Sequence, residues 1–553
     1  MRIRQIGRIF GYASAAIIAL STLTFALRDD FGLGRNMEIV VNTMRELTLN
    51  YVDTVDTDKL MEGAAAGMVR SLDPYTEFVS EAKMAEFEQM TTGKYGGVGS
   101  LIRQKSDYVI IAQPYEGSPA DRAGLKIGDR ILEIGGEDAK GFTVEQVSSR
   151  LKGDPGTSVK VKVKQLDGTI KEVAIQRERI AIPGVPYAGW VADGIGYIRH
   201  SDFTEGCYQE LRDAIERLRS TGELKGLILD YRSNGGGLLQ EAIKIVGLFA
   251  PNNTEVVQTK GRAKERSYRT TGEPAYPDLP LVLLVNSGSA SASEIVSGSM
   301  QDLDRAVLIG QRTLGKGLVQ TTVPVGYNAM LKLTTAKYYI PSGRCIQEID
   351  YSHSQQGTVK VIPDSLIKEY TTRGGRKVYD GGGIMPDIRT EPEYISRFAA
   401  TLYAMGFIDD FGDDYIRRKG YQELDLKTFK ISDQDFEDFA AFMQDKEVKY
   451  ESETRAALKL IKEAAKNDRF KAMEEQITTL EEALKDDTQT NIRTYRNEIA
   501  ESITGDIVLR HAYQAGVIEN SLTDDREVLR AIELLRDTTE YHRILREQDT
   551  ARK

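Results

Sequence analysis

Two short runs, Leu227-Ile-Leu-Asp-Tyr231 and Leu281-Val-Leu-Leu-Val285, constrain this chain more than any other feature. Each reads as a strand and each opens onto small residues. Gly235-Gly-Gly precedes a helical stretch from Leu238 to Leu248, and Ser287-Gly-Ser-Ala-Ser-Ala-Ser precedes another helix. Repetition of strand, small-residue turn and helix through residues 181–390 predicts a largely parallel α/β sheet with its site at the strand carboxyl ends.

The texture differs on either side of that core. Residues 36–92 place Ile39, Val40, Met44, Leu47 and Val52 near helical spacing. Residues 93–180 carry short β-branched runs such as Tyr108-Val-Ile-Ile-Ala112 and Val159-Lys-Val-Lys-Val-Lys164, interrupted by one helical stretch, Val144 to Leu151. Residues 391–553 hold only 5 of the 50 glycines and one of the 15 prolines, which predicts a helical region. That region has 36 acidic and 25 basic residues, a net of −11, so the total of −10 leaves +1 for everything before it. No part is basic enough for a nucleic-acid partner.

The two cysteines, Cys207 and Cys345, form no C-x-x-C pair, and His200, His353, His511 and His542 are scattered. A metal or other cofactor is not expected. Arg2, Arg4 and Arg8 precede an apolar run of 19 residues from Ile9 to Leu27. At roughly 1.5 Å per residue it spans about 28 Å, enough for a hydrocarbon core. Residues 1–28 are therefore expected to be a signal peptide, with Thr24 and Ala26 before a cleavage site, or a retained inner-membrane anchor. Either places the body outside the cytoplasm, in the periplasm.

Tyr95-Gly-Gly-Val-Gly-Ser-Leu-Ile102 is a glycine-rich turn entering a strand, where exposed N–H groups can hold a peptide carboxylate and a strand edge can pair with a peptide. The loop Ser287 to Glu294 sets serines at the start of a helix, beside N–H groups with no intrahelical partner. Ser291-x-x-Glu294 also fits a capping box, so a helix cap is the plainer use of this serine. A nucleophilic serine needs a base, no G-x-S-x-G elbow is present, and no histidine lies in a suggestive setting, which leaves lysine. Bringing a lysine from its usual pKa of about 10.4 to about 7 takes about 4–5 kcal/mol of differential environment, which burial can supply. Lys316 sits in Gly310-Gln-Arg-Thr-Leu-Gly-Lys-Gly317, a context in which a lysine is ordinarily a solvated surface charge. The same segment imitates a phosphate-binding loop, but Gly317 stands where Ser or Thr would hold magnesium, and a strand follows instead of a helix.

Gly117-Ser-Pro-Ala-Asp-Arg-Ala-Gly-Leu-Lys-Ile-Gly-Asp-Arg-Ile-Leu132 closely resembles the middle of a PDZ domain. With Ser71-Leu-Asp-Pro-Tyr75, Asp230-Tyr-Arg-Ser-Asn-Gly-Gly-Gly-Leu238, Val285 to Ile295, Gly315-Lys-Gly-Leu-Val-Gln320, Pro341-Ser-Gly-Arg-Cys-Ile-Gln347 and Gly383-Ile-Met-Pro-Asp387 in order, residues 36–390 resemble the carboxyl-terminal processing peptidases, exported PDZ-containing Ser-Lys proteases. The resemblance implies a multidomain α/β fold: an N-terminal helical region, a PDZ module, a crotonase- or ClpP-like catalytic core and a helical tail. It implies Ser291 as nucleophile, Lys316 as general base, Gln320 to orient the lysine, and the N–H groups of Gly236 and Ala292 as oxyanion hole. Gly97, Val98, Gly99 and Ser100 would receive the carboxyl terminus of a protein or peptide substrate, with Val144 and Val147 on the groove helix. One departure is Gly235, where the family often has proline. A non-catalytic PDZ scaffold is the competing class, and a thioester-directed enzyme of the crotonase kind is another. The tail would serve homo-oligomerisation or docking onto the core, or would be a solvated helix set.

Overall fold

The computed structural model describes residues 32–546 apart from 71, 263, 351–359, 362–366, 469 and 485–487. The expected membrane or signal segment, 1–28, and Ser71 of the Ser-Leu-Asp-Pro-Tyr motif lie outside the described residues. Among the described residues no helix is long and apolar enough to cross a membrane.

Both apolar runs are central strands. The core sheet runs in sequence order: β1 (Tyr187–Ala192), β2 (Ile195–Arg199), β3 (Gly226–Asp230), β4 (Leu281–Val285), β5 (Val307–Gly310) and β6 (Ile388–Arg389). β1 is antiparallel to β2, and the other neighbours are parallel. Alternate side chains leave opposite faces. Leu227, Leu229, Leu281, Leu283 and Val285 meet a layer from α1 (Cys207–Thr221), α2 (Leu239–Gly247) and α3 (Ala292–Asp302). In α1 the buried Leu211, Ala214, Ile215 and Leu218 recur at the spacing of one helix face.

The opposite face of this sheet is closed by the acidic tail. Ile195, Tyr197, Ile228, Val282, Leu284, Val307 and Ile309 pack on Val528, Ala531, Ile532, Leu534 and Leu535 of α4 (Arg526–Arg536) and on Tyr541 of α5 (Thr538–Arg546). The Tyr541 hydroxyl bonds the main chain of Leu281 in the central strand β4. Of the readings open for the tail, docking onto the core is the one found for this part of it. The rest of the tail has its own core around Phe398, Phe411, Phe436, Phe439, Ile499, Ile503 and Ile507.

The segment with PDZ-like sequence is a sheet of six strands, five in the order 100–105, 108–114, 130–134, 158–164 and 170–176 and a short one, 137–138, paired with 130–134, with helix Val144–Leu151 capped by Thr143 and Gln146. Strand Ser100–Lys105 is the edge of that sheet. The ammonium of Lys105 lies among Asp409, Asp410 and Asp413, at 2.6–3.1 Å from each, and Arg103 pairs with Asp409. Arg510, buried below, bonds Asp409, Asp413 and Asp506. The tail's acidity is thus spent partly on fixing this module.

All of these elements belong to one of two units, Ala85–Val319 with Thr335 onward. The other contains the residues up to Met84 and Gln320–Thr334. In it Asp73 accepts the N–H groups of Tyr75 and Thr76, and strand Glu77–Val79 pairs antiparallel with 330–332. Helix 32–50 leaves Leu33, Met37, Ile39, Val41 and Leu49 exposed.

Candidate active site

The loop after β4 arrives at the helix start through a chain of side-chain bonds. Asn286 Oδ1 accepts the N–H of Ser233 (2.7 Å) and of Gly288 (3.0 Å), tying this loop to the one after β3. The four serines separate by environment. Ser289 and Ser293 are fully buried, and their hydroxyls donate to the carbonyls of Tyr231 and Asn234. Ser287 is exposed in the turn, whereas Ser291 is half-buried at the N-cap of α3.

Ser291 adopts φ 55°, ψ −113°, a conformation that costs a non-glycine residue about 1–3 kcal/mol and persists only where surroundings over-determine it. One surrounding element is Gly236 at φ 96°. A Cβ placed on Gly236 would lie 2.7 Å from Ser291 Cβ and 2.8 Å from Ala292 N, so only glycine fits. At Gly235 a Cβ would meet nothing within 4 Å, which places the close approach at Gly236. The N–H of Gly236 donates to Asn234 Oδ1 at 2.9 Å in an Asx turn. Ala292 is the first residue of α3, where an N–H has no acceptor within the helix.

The Gly-Lys-Gly turn is held on several sides. Gly315 and Gly317 are buried, and a Cβ on either would strike residues 346–348 or 383 within 3.0 Å. Gln347 Oε1 accepts the N–H of Gly317 at 2.7 Å, and Thr313 and Ile384 exchange bonds. The motifs at 341–347 and 383–387 therefore support the lysine loop. Lys316 itself is half-buried, unlike an ordinary solvated surface lysine.

Glu294, fully buried in the first turn of α3, joins the loops. Its Oε1 accepts Thr313 Oγ1 (2.6 Å) and Gly315 N–H (2.7 Å), and its Oε2 accepts Ser291 N–H (2.8 Å) and Lys316 N–H (2.9 Å). Burial pushes its carboxyl pKa up, while these four donors pull the other way. Opposite, the Tyr338 hydroxyl lies 2.5 Å from Lys316 O and 3.1 Å from Ser291 O. The sequence marks Glu294 as a capping residue and does not mark Tyr338. The first carried a signal in Ser-x-x-Glu, the second none.

Charge behind the loops is also ordered. Asp230, fully buried at the end of β3, is subject to the upward push of burial, but Arg232 and Arg199 beside it hold its carboxyl below the usual range. His200 is fully buried against Phe203 and Tyr231, and burial lowers its pKa to about 3. It is a neutral core residue.

Gln320 lies in the unit that includes residues 320–334, where its Nε2 donates to Thr334 Oγ1 at 3.3 Å. In the PDZ module, Gly99 takes φ 77°, and its carbonyl accepts both Ser118 Oγ and Tyr115 N–H. Val144 is exposed at the start of the groove helix. Val147 is 0% exposed and belongs to the module's core with Val109, Ile111 and Val161, which corrects its expected place on the groove wall: the side chain faces inward.

Residues 194–367 match peptidase family S41, 110–165 a PDZ domain, 398–535 the C-terminal helical domain of a probable PDZ-protease, and 26–82 the N-terminal domain of the activating protease CtpB. The carboxy-terminal-processing protease of Bartonella bacilliformis is 38% identical over 58% of this chain and 72% of its own length. This chain belongs to the carboxy-terminal processing proteases. A second relative of this serine-type peptidase, carboxy-terminal processing protease CtpA of Bacillus subtilis, is 30% identical over 62% of this chain and 76% of its own. Among solved structures, the photosystem II D1 C-terminal processing protease aligns with 64% of this chain and 87% of its own, at 25% identity and a TM-score of 0.35. The S41 match spans the loops of Gly236, Ser291 and Lys316 in this processing protease.

Proposed function

We propose that this processing protease cleaves peptide bonds with a Ser291–Lys316 pair after its PDZ module has captured a substrate's carboxyl terminus. The observation that carries the reading is the convergence of two distant loops. Ser291, strained at a helix start and packed against Gly236, and Lys316 donate their main-chain N–H groups to the same carboxylate oxygen. Neutral Lys316 takes the Ser291 proton as Oγ bonds to the scissile carbonyl carbon. The protonated lysine then gives that proton to the departing amine as the C–N bond breaks. Water, deprotonated by Lys316, hydrolyses the acyl-serine ester and restores both residues. The N–H groups of Gly236 and Ala292 hold the oxyanion, and for Gly236 this means exchanging its Asn234 acceptor for the substrate oxygen. Gln320 keeps the role the resemblance implies, orienting the lysine.

Edge strand Ser100–Lys105 offers main-chain pairing to an extended peptide, and the turn Gly97–Ser100 offers N–H groups to its carboxylate. Export through residues 1–28, with anchoring at the inner membrane if they are retained, belongs to the same proposal, as does homo-oligomerisation. Digestion of an unfolded protein such as casein tests the chemistry. Wild type should cleave it, and Ser291→Ala and Lys316→Ala should be inert with unchanged circular dichroism. Retained cleavage by purified Ser291→Ala would overturn the assignment.

A further inference from the structure

From the bonds converging on the two loops, we infer that Glu294 and Tyr338 are positioning residues that together fix the separation of Ser291 and Lys316. The inference rests on the Ser-Lys reading above and adds to it the devices that hold the pair. Twenty-four residues, containing helix α3 and strand β5, separate Ser291 from Lys316 in the chain, so local geometry cannot set their spacing. Each main chain is instead gripped twice. Glu294 Oε2 accepts both N–H groups, at 2.8 and 2.9 Å, and the single Tyr338 O–H donates to Lys316 O at 2.5 Å and shares its proton with Ser291 O at 3.1 Å.

Both braces are themselves rigid. Glu294 is 0% exposed, and its two oxygens accept four donors, the full capacity of an ionised carboxylate. Its place in the first turn of α3 adds the favourable helix field for negative charge. Tyr338 is 1% exposed, and its own N–H donates to Gly317 O at 3.0 Å, so the residue grips the lysine turn from both its ends. The strained dihedrals of Ser291 are what such over-determination permits. A misplacement of about 1 Å between reacting groups can cost on the order of a hundredfold in rate.

The test compares Tyr338→Phe and Glu294→Gln with wild type on a peptide substrate, each rate expressed per folded molecule from circular dichroism at the assay temperature. Both changes conserve volume. Tyr338→Phe removes only the hydroxyl; Glu294→Gln puts an NH₂ group among four donors. In each, kcat should fall about tenfold to a hundredfold with KM within about twofold of wild type, the pattern of a loss confined to the chemical step. Ser299→Ala, which removes a buried bond from the same helix to Val256 O but touches neither brace, should keep the wild-type kcat. A folded Tyr338→Phe with wild-type kcat would overturn the inference, as would losses in all three variants that follow only their melting temperatures. Unfolding of both isosteric variants would also count against it. Lys316→Ala in the same series separates the two claims: if it is inert while the brace variants are normal, only the brace fails, and if it cleaves normally, the Ser-Lys reading itself fails.

Discussion

Arg232 Nη1 donates to Glu527 Oε2 at 2.8 Å, joining the loop after β3 to the first turn of α4. The same guanidinium bonds Asp230 and Asp525, the N-cap of α4, and all four side chains are largely withdrawn from water. The loop that carries Gly236 is thus anchored on the helical tail. Replacing Arg232 by Met takes the shared cation from Asp525 and Glu527 and leaves Asp230 with Arg199 alone, and removing one partner of a buried ion cluster costs about 3–5 kcal/mol. Urea unfolding should show that loss, with reduced kcat in the surviving folded protein. An unchanged midpoint would mean that the cluster contributes no net stability.

Removal of residues 522–546 should give an insoluble or unfolded protein. Val528, Ala531, Ile532, Leu534, Leu535 and Tyr541 cover one face of the core sheet. At about 1.5–3 kcal/mol for each large apolar side chain, their loss is on the order of the whole stability of a domain. Leu534→Ala alone should cost about 2–5 kcal/mol. A soluble, active truncated protein would show that α4 and α5 are dispensable.

His200 gives a defined pH dependence. Its folded pKa of about 3 lies below the value of about 6.5 expected when unfolded. The unfolded chain therefore binds the extra proton, and the stability from keeping this imidazole neutral is present above about pH 6.5 and is lost progressively toward pH 3. Between pH 7 and pH 5 the loss is about 2 kcal/mol at about 1.4 kcal/mol per pH unit. His200→Phe, an aromatic exchange beside Phe203 and Tyr231, should flatten that part of the stability profile. Parallel wild-type and variant profiles would contradict the assignment.

Amidating the carboxyl terminus of a peptide substrate should raise KM roughly tenfold or more with little change in kcat, because the turn Gly97–Ser100 then loses a charged acceptor worth about 1.5–3 kcal/mol. Val144→Asp should act in the same direction, since Val144 is exposed at the groove helix. Val147→Asp should unfold the module, since that side chain is in its core. Point substitutions suit this question better than excising the module, which would take Arg103 and Lys105 away from Asp409, Asp410 and Asp413.

Much of this was legible in the chain because it is local. Leu281–Val285 announced a buried strand, Val144–Leu151 a helix, and the order of short motifs announced the family. Less legible was what depends on pairing across long separations. Four serines share one loop with similar neighbours, and only burial of Ser289 and Ser293 against carbonyls of the preceding loop distinguishes them from Ser291. Glu294 looked like a cap because its other three donors come from residues 313–316. Val147 was misplaced because a helix of 8 residues turns one face to the groove and another to the core, and the period alone did not say which. For the tail, oligomerisation, docking onto the core and a solvated helix set all stay open in the sequence, and only the structure shows its apolar stripe from Val528 to Leu535 meeting a face of the core sheet.

The most direct test of the account is mass spectrometry of acid-quenched enzyme mixed with a peptide ester, followed by digestion to locate the bound acyl group. The account predicts an acyl adduct on Ser291 in wild type, absent from Ser291→Ala and strongly reduced in Lys316→Ala. An adduct on another residue, or an undiminished rate of Ser291 acylation in Lys316→Ala, would contradict it.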